Sequence, residues 1–203
     1  GIERVCSTAQ IKPEQISHVM HGTTVATNTV LTGSGARVGL VTTKGYRQVL
    51  QIARSFVPGG LGAWVIYNKS EPMAPLELTI EADERVGADG SVVRALDEAA
   101  LKTALEALLA EGIEALTVCL IKGYTNPVHE QRIRDVAAEV MPHVPVSLAS
   151  DVIPEMQEYE RTVTTVANSY VRPRVETYVS NLVRELGARM QDVKLNILRS
   201  DGG

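Results

Sequence analysis

Residues 16–53 read ISHVMHGTTVATNTVLTGSGARVGLVTTKGYRQVLQIA, and this stretch decides the fold class. Ile16-Ser17-His18-Val19-Met20 is a short apolar run suited to a buried strand. The polar turn His21-Gly22-Thr23-Thr24 follows it. Val25, Ala26, Thr29 and Val30 then fall at helical spacing, with Gly33 and Gly35 as stop signals. Residues 36–42 form a second strand candidate. Lys44-Gly45 opens a second helix, in which Tyr46, Val49, Leu50 and Ala53 share a face. A strand–helix–strand–helix order predicts an α/β sheet.

Outward from this core the same alternation continues. Pro58, Gly59, Gly60, Gly62, Pro72 and Pro75 crowd around Trp64, so residues 55–75 read as a long loop of the kind that carries function. Residues 76–86, the Asp89-Gly90 turn and residues 91–95 read as a hairpin, both turn positions accepting positive φ. Asp97 caps a helix that buries Ala100, Leu101, Ala104, Leu105, Leu108 and Leu109 and ends at Gly112. Residues 115–121 (ALTVCLI) are continuously apolar, as in a strand covered on both faces. Asn126-Pro127 starts another helix, with Ile133, Val136, Ala137 and Val140 inward, and residues 144–148 form a further strand. A long helix spans residues 154–186, with an interruption expected at Pro173.

The chain of 203 residues carries 20 Lys+Arg against 24 Asp+Glu, a net charge of −4. A nucleic-acid binder needs a basic face to displace counterions, and one Trp, one Phe and six Tyr make a poor base-stacking platform. No apolar run reaches the ~18 residues that cross a bilayer, and no secretory signal is visible. Cys6 and Cys119 form no CxxC pair and read as small core residues of a protein kept reduced, so the expected location is cytoplasmic. Both ends look cut. Residues 1–9 resemble the tail of a helix, and residues 193–198 a strand that stops at Ser200-Asp201-Gly202-Gly203, as in an excerpt of a longer protein.

Common nucleotide and hydrolase signatures (GxxxxGK[ST], GxGxxG after a strand, GxSxG, HExxH) are absent. His18 and His21, three apart on a strand, point to opposite faces, so no metal site is expected from them. His21, Gly22, Thr23 and Thr24 lie where a strand gives way to a helix, with Asn28 one turn on. Free N–H groups, two hydroxyls and an imidazole there suit a phosphate or an oxyanion; the alternative is a plain helix cap. Ser200, Asp201, Gly202 and Gly203 divide in the same way between a ligand turn and an ordinary one. Glu155, Glu158, Glu160 and Arg161 open the long helix either as a solvated start favoured by its dipole or, for Glu160 and Arg161, as part of a cleft.

One family matches these residues in order. His21-Gly22-Thr23-Thr24-Val25-Ala26-Thr27-Asn28, Val41-Thr42-Thr43-Lys44-Gly45-Tyr46-Arg47, Leu96-Asp97-Glu98-Ala99, Tyr124-Thr125-Asn126-Pro127, His129-Glu130, Glu158-Tyr159-Glu160-Arg161-Thr162, Asn168-Ser169-Tyr170-Val171 and Ser200-Asp201-Gly202-Gly203 together resemble the hydantoinase A/5-oxoprolinase family. Ala53, where Gly is usual before Arg54, and Asp201, where Asn is common, depart from its wording.

The resemblance implies an actin-like ATPase (ribonuclease H-like) fold, truncated at both ends. It divides the chain at residues 1–158, the family's N-terminal α/β domain, and 159–203, the start of its ATPase domain. It also implies an ATP-dependent amidohydrolase that opens a hydantoin or lactam through a phosphorylated intermediate, with Mg²⁺ on the phosphates. The family's nucleotide loops fall outside these residues, so neither ATP nor Mg²⁺ is expected to bind tightly to this excerpt alone. The residues it points to for substrate or phosphate are His21, Gly22, Thr23, Thr24, Asn28, Glu160, Arg161 and 200–203. A second, hydantoinase B-type subunit is the implied partner, with no nucleic acid and no membrane. The alternatives are a subunit of an ATP-dependent acetone or acetophenone carboxylase, and a noncatalytic assembly module.

Overall fold

The computed structural model describes residues 1–54, 70–190 and 193–198. The chain divides into two compact units, one made of residues 1–34 and 174–203, the other of residues 35–173.

The contiguous unit holds a four-stranded sheet in the order β3-β2-β6-β7, with every neighbouring pair parallel. Its strands are β2 (Val38–Thr43), β3 (Thr79–Ala82), β6 (Ala115–Cys119) and β7 (Val146–Leu148). Side chains alternate across this sheet with period two, and both faces are covered. Val41, Leu116 and Val118 join one core cluster with Leu101, Leu105 and Leu108 of helix α4 (Glu98–Ala110) and Ile133 and Val136 of α5 (Val128–Val140). Val38, Leu40, Ala115 and Cys119 join the opposite cluster with Leu50, Ala149 and Val166. Burial on both faces is why residues 115–121, which contain β6, read as a continuous apolar run. Gly39 of β2 makes close packing possible: a Cβ there would stand 2.8 Å from Leu108 Cδ2.

Several local expectations hold. The Asp97 carboxylate accepts the amide of Ala100 at 3.0 Å and caps α4. Asn126 Oδ1 accepts the amide of Val128 at 3.1 Å, but Pro127 takes the N-cap position of α5, one residue later than the Asn126 cap that the sequence suggests.

Others are corrected. Ala100 and Leu109 are exposed, so the buried stripe of α4 is narrower than its apolar content suggests. The helix after Gly45 shrinks to one turn, α3 (Val49–Ile52), because the chain first makes a turn closed by Tyr46 N donating to Thr43 O. Residues 76–86 do not form one hairpin arm. They divide into β3, parallel to β2, and β4 (Arg85–Val86), antiparallel to β5 (Val92–Arg94). In the turn between β4 and β5 only Gly90 has positive φ, while Asp89 Oδ1 accepts from Ser91 N and Oγ. A short helix α6 (Ala149–Val152) follows β7 directly. The long helix α7 runs from Glu158 to Gly187 and passes through Pro173 without interruption.

The discontinuous unit joins the two ends of the chain. It contains α1 (Ile2–Ala9), β1 (His18–His21), α2 (Val25–Leu31), the part of α7 after residue 173, and β8 (Lys194–Ile197). β1 and β8 pair in parallel, His18 opposite Lys194 and His21 opposite Ile197. β1 is not buried as its apolar run predicts: Met20 is 71% exposed in this chain. Among the described residues no helix is long and apolar enough to cross a membrane.

Candidate functional site

β1 ends at His21 and α2 begins at Val25, so the strand-to-helix turn is made by residues 22–24, with His21 the last residue of the strand rather than the first of the turn. His18 is exposed and His21 half-buried, consistent with opposite faces of β1. His21 Nε2 and the Tyr178 hydroxyl of α7 share a 2.6 Å hydrogen bond, with the two rings 5.7 Å apart. This bond ties the imidazole to α7 and orients it.

The turn itself faces outward. Gly22, Thr23, Thr24 and Asn28 are exposed, and a Cβ at Gly22 would meet nothing within 4 Å. Thr23 Oγ1 accepts from Val25 N at 3.3 Å, and Asn28 Nδ2 donates to Thr24 Oγ1 at 3.4 Å. Both contacts are long, so the hydroxyls are only loosely engaged. Thr24 sits at the N-cap position without capping through its side chain, while Thr23 Oγ1 meets the amide of Val25, the first helical residue, as a plain cap would. A backbone open at Gly22 beside two hydroxyls and an amide fits an oxygen-rich ligand such as a phosphate.

Glu160 and Arg161 belong to the other unit, and the helix sends them different ways. Neighbours on a helix point about 100° apart. Glu160 lines an open depression of about 780 Å³ with Arg54, Tyr46, Arg47, Glu158 and Tyr159. There it pairs with the guanidinium of Arg54.

Arg161 instead turns into the interior, where it is 1% exposed. Its Nη1 donates to Leu120 O at 2.9 Å, its Nη2 to Glu130 Oε1 at 3.2 Å, and its plane lies over the Tyr124 ring. Glu130 is fully buried and also accepts the amides of Leu120 and Ser150. As placed, Arg161 braces α5 against the end of β6 rather than meeting a ligand. Ser200, Asp201, Gly202, Gly203 and the segment around Trp64 lie outside the described residues.

Two features escaped sequence reasoning. Arg54 carries no local signal, because its partner lies 106 positions later. The second is a buried chain at the carboxyl ends of β2 and β6. Thr43 Oγ1 donates to Glu84 Oε1 and accepts the amide of Ile121 at 2.9 Å, while His129 Nδ1 lies 2.7 Å from Glu84 Oε2. Nearby, Lys44 and Arg94 both bond Asp83 and hold its carboxyl below the usual range. Both cysteines are buried and free. Burial pushes the Cys119 thiol up to about 11, which suits a core residue and not a nucleophile. Among the described residues no group of three or more His, Cys, Asp or Glu stands close enough to hold a metal ion.

The family model described as hydantoinase/oxoprolinase N-terminal region matches residues 1–141. The chain is 31% identical to the acetophenone carboxylase gamma subunit of Aromatoleum aromaticum over 93% of its own length and 27% of that protein. It is also 31% identical to 5-oxoprolinase 1 of Arabidopsis thaliana, over 99% of its own length and 17% of the relative. The crystal structure of the ATP-dependent caprolactamase from Pseudomonas jessenii superimposes with a TM-score of 0.89 at 28% identity, covering the whole of this chain and 30% of that one. The described elements are thus the α/β architecture of the actin-like class, and the chain spans less than a third of the length of each of these relatives.

Proposed function

Because this chain belongs to the hydantoinase/oxoprolinase family, we propose that the whole protein is an ATP-dependent amidohydrolase that opens a cyclic amide, a hydantoin or a lactam. The observation that carries this reading is the likeness, along the full chain, to an ATP-dependent caprolactamase. An unstrained lactam resists water because its carbonyl is resonance-stabilised. Transfer of the γ-phosphoryl group of ATP to the lactam oxygen makes the ring carbon electrophilic. One water adds, the ring C–N bond breaks with nitrogen taking the proton, and a second water releases the phosphate. Mg²⁺ carried by the nucleotide would neutralise the phosphates.

Within this chain His21, Gly22, Thr23, Thr24 and Asn28 are the proposed contacts to phosphate or substrate oxygen, with His21 oriented by Tyr178. Residues 200–203 are assigned to the same role on the family resemblance alone, as are the domain boundary at 158/159 and a hydantoinase B-type partner subunit. The likeness to a carboxylase gamma subunit keeps a second reading, a ketone carboxylase subunit.

ADP release by the full-length protein separates the readings. Release stimulated by hydantoins, 5-oxoproline or caprolactam without bicarbonate is the expected result. Release that requires both a ketone and bicarbonate would replace the hydrolase with the carboxylase, and a lack of any nucleotide dependence would leave an assembly module. Thr24→Val should lower cyclic-amide-dependent turnover more than tenfold at an unchanged melting temperature; unchanged kinetics would remove the turn from the site.

A further inference from the structure

We infer that the depression beside Arg54 and Glu160 is a seat for the planar edge of a cyclic amide, with Glu160 accepting the ring N–H and Arg54 donating to the ring carbonyl. The inference rests on the amidohydrolase reading and specifies what recognises its substrate. Four observations carry it.

The first is the donor and acceptor pattern. Both contacts that the Arg54 guanidinium makes with described residues, from Nε and Nη2, fall on one carboxylate oxygen, Glu160 Oε1. Glu160 Oε2 and Arg54 Nη1 therefore have no partner among the described residues. The pair presents one vacant acceptor beside vacant N–H donors. A ring closes an amide in the cis form, which places its N–H and C=O on the same edge. That edge is the complement of the vacant pair. An open-chain secondary amide is trans and presents its N–H and C=O on opposite sides.

The second is the backbone. Ala53, immediately before Arg54, has φ 52° and ψ −136°, and Gln157, three residues before Glu160, has φ 96°. Both line the depression. Positive φ in a residue with a Cβ is strained, and such strain gathers at ligand clamps. Here it occurs immediately before Arg54 and about one helical turn before Glu160. A solvated surface ion pair, worth little to stability, gives no reason to hold two such residues beside it.

The third is the wall. Tyr46 and Tyr159 line the same space; Tyr159 offers aromatic surface to a small ring, while Tyr46 carries the Arg85 guanidinium over its ring at 5.4 Å. Tyr159 is anchored by packing against the core cluster of Val38, Leu40 and Val166. The fourth is stiffness behind the pair. Arg47 donates to Thr79 O at 3.0 Å and Leu76 O at 3.2 Å, and Glu81 accepts the amide of Gly45 at 2.8 Å.

The test is a comparison of a lactam with its N-methyl derivative, which keeps the carbonyl and loses the N–H. Binding of δ-valerolactam and N-methyl-δ-valerolactam to the full-length protein is measured by calorimetry, together with lactam-dependent ADP release. The unsubstituted protein should prefer the N–H form at least tenfold. Glu160→Ala should reduce that preference to less than twofold. Arg54→Met should weaken both ligands equally by about tenfold, and neither change should alter the KM for ATP. Side chains that are 28% and 68% exposed leave both variants foldable. A purely structural pair would weaken both ligands together in Glu160→Ala and keep the preference. That result, or no preference in the unsubstituted protein, overturns the inference. Absence of any lactam binding or lactam-dependent ADP release would instead refute the amidohydrolase reading beneath it.

Discussion

Replacing Glu130 with Gln should destabilise the protein by about 3–5 kcal/mol, although the two side chains have the same shape. Glu130 Oε1 accepts from Leu120 N at 3.0 Å and Arg161 Nη2 at 3.2 Å, and Oε2 accepts from Ser150 N at 2.8 Å. All three neighbours are donors. A Gln must turn its NH₂ toward at least one of them. With its oxygen kept at the Oε1 position, the NH₂ faces the Ser150 amide, and that half-buried N–H loses its acceptor at a cost of up to about 1–3 kcal/mol. The larger loss is electrostatic: Arg161, 1% exposed, keeps its charge without the counter-charge, and breaking a buried pair in this way costs about 3–5 kcal/mol. The two losses share the same atoms and do not sum. Arg161→Met should cost a similar amount, and the double variant should be less damaged than the two losses added, with a coupling of about 2 kcal/mol. Urea unfolding midpoints with an unchanged slope give these values. A loss under 1 kcal/mol for Glu130→Gln, or no coupling in the cycle, would show that Arg161 and Glu130 do not form the buried brace described above.

Three further outcomes are expected. Ala53→Gly should raise stability by about 1 kcal/mol, since Gly occupies φ 52° without a Cβ penalty; a lower midpoint would mean that the positive φ is absent in solution. Gly39→Ala should lower the urea midpoint by the equivalent of about 1–3 kcal/mol, because its Cβ enters the space of Leu108 and Ile113; an unchanged midpoint would refute the close packing of α4 on β2. The Cys119 thiol, pushed up to about 11 by burial, stays protonated in the folded chain while the unfolded thiol ionises near 8.5. The folded state then binds more protons than the unfolded state between those values, so stability falls as pH rises from about 8.5 to 11, by roughly 2–3 kcal/mol. Cys119→Ala should remove that slope, and equal slopes in the two proteins would contradict the burial.

What the sequence made legible depended on range. α4 is written locally, in a capping Asp97, a leucine stripe and Gly112, and the structure follows it within a residue. The ALTVC run of β6 declares its own burial on both faces. The division of residues 76–86 was hidden because β3 takes its partner from β2 and β4 from β5, and no local pattern states which strand is met. Pro173 misled for the opposite reason. Its missing N–H is a local signal, yet the residues on either side are held in α7 by tertiary contacts, among them Tyr170 O accepting Ala36 N and Arg174 Nε donating to Ser34 O. Among the candidate residues, the turn that follows β1 announced itself by composition. Glu160 and Arg161 looked equivalent as neighbours in sequence, and only the rotation of α7 separates a cleft residue from an interior one.

The pairing of β1 with β8 has a consequence for how the chain reaches its native state. On a ribosome, His18 waits for Lys194 to be made, whereas residues 35–173 already contain every strand of their own sheet. The contiguous unit can therefore form first. Its completion brings Ala36 and Tyr170 within a hydrogen bond, which shortens the effective loop that the last strand must close. The entropy saved by that shortening is about 1 kcal/mol. Residues 1–34 thus emerge before the contiguous unit and are completed after it.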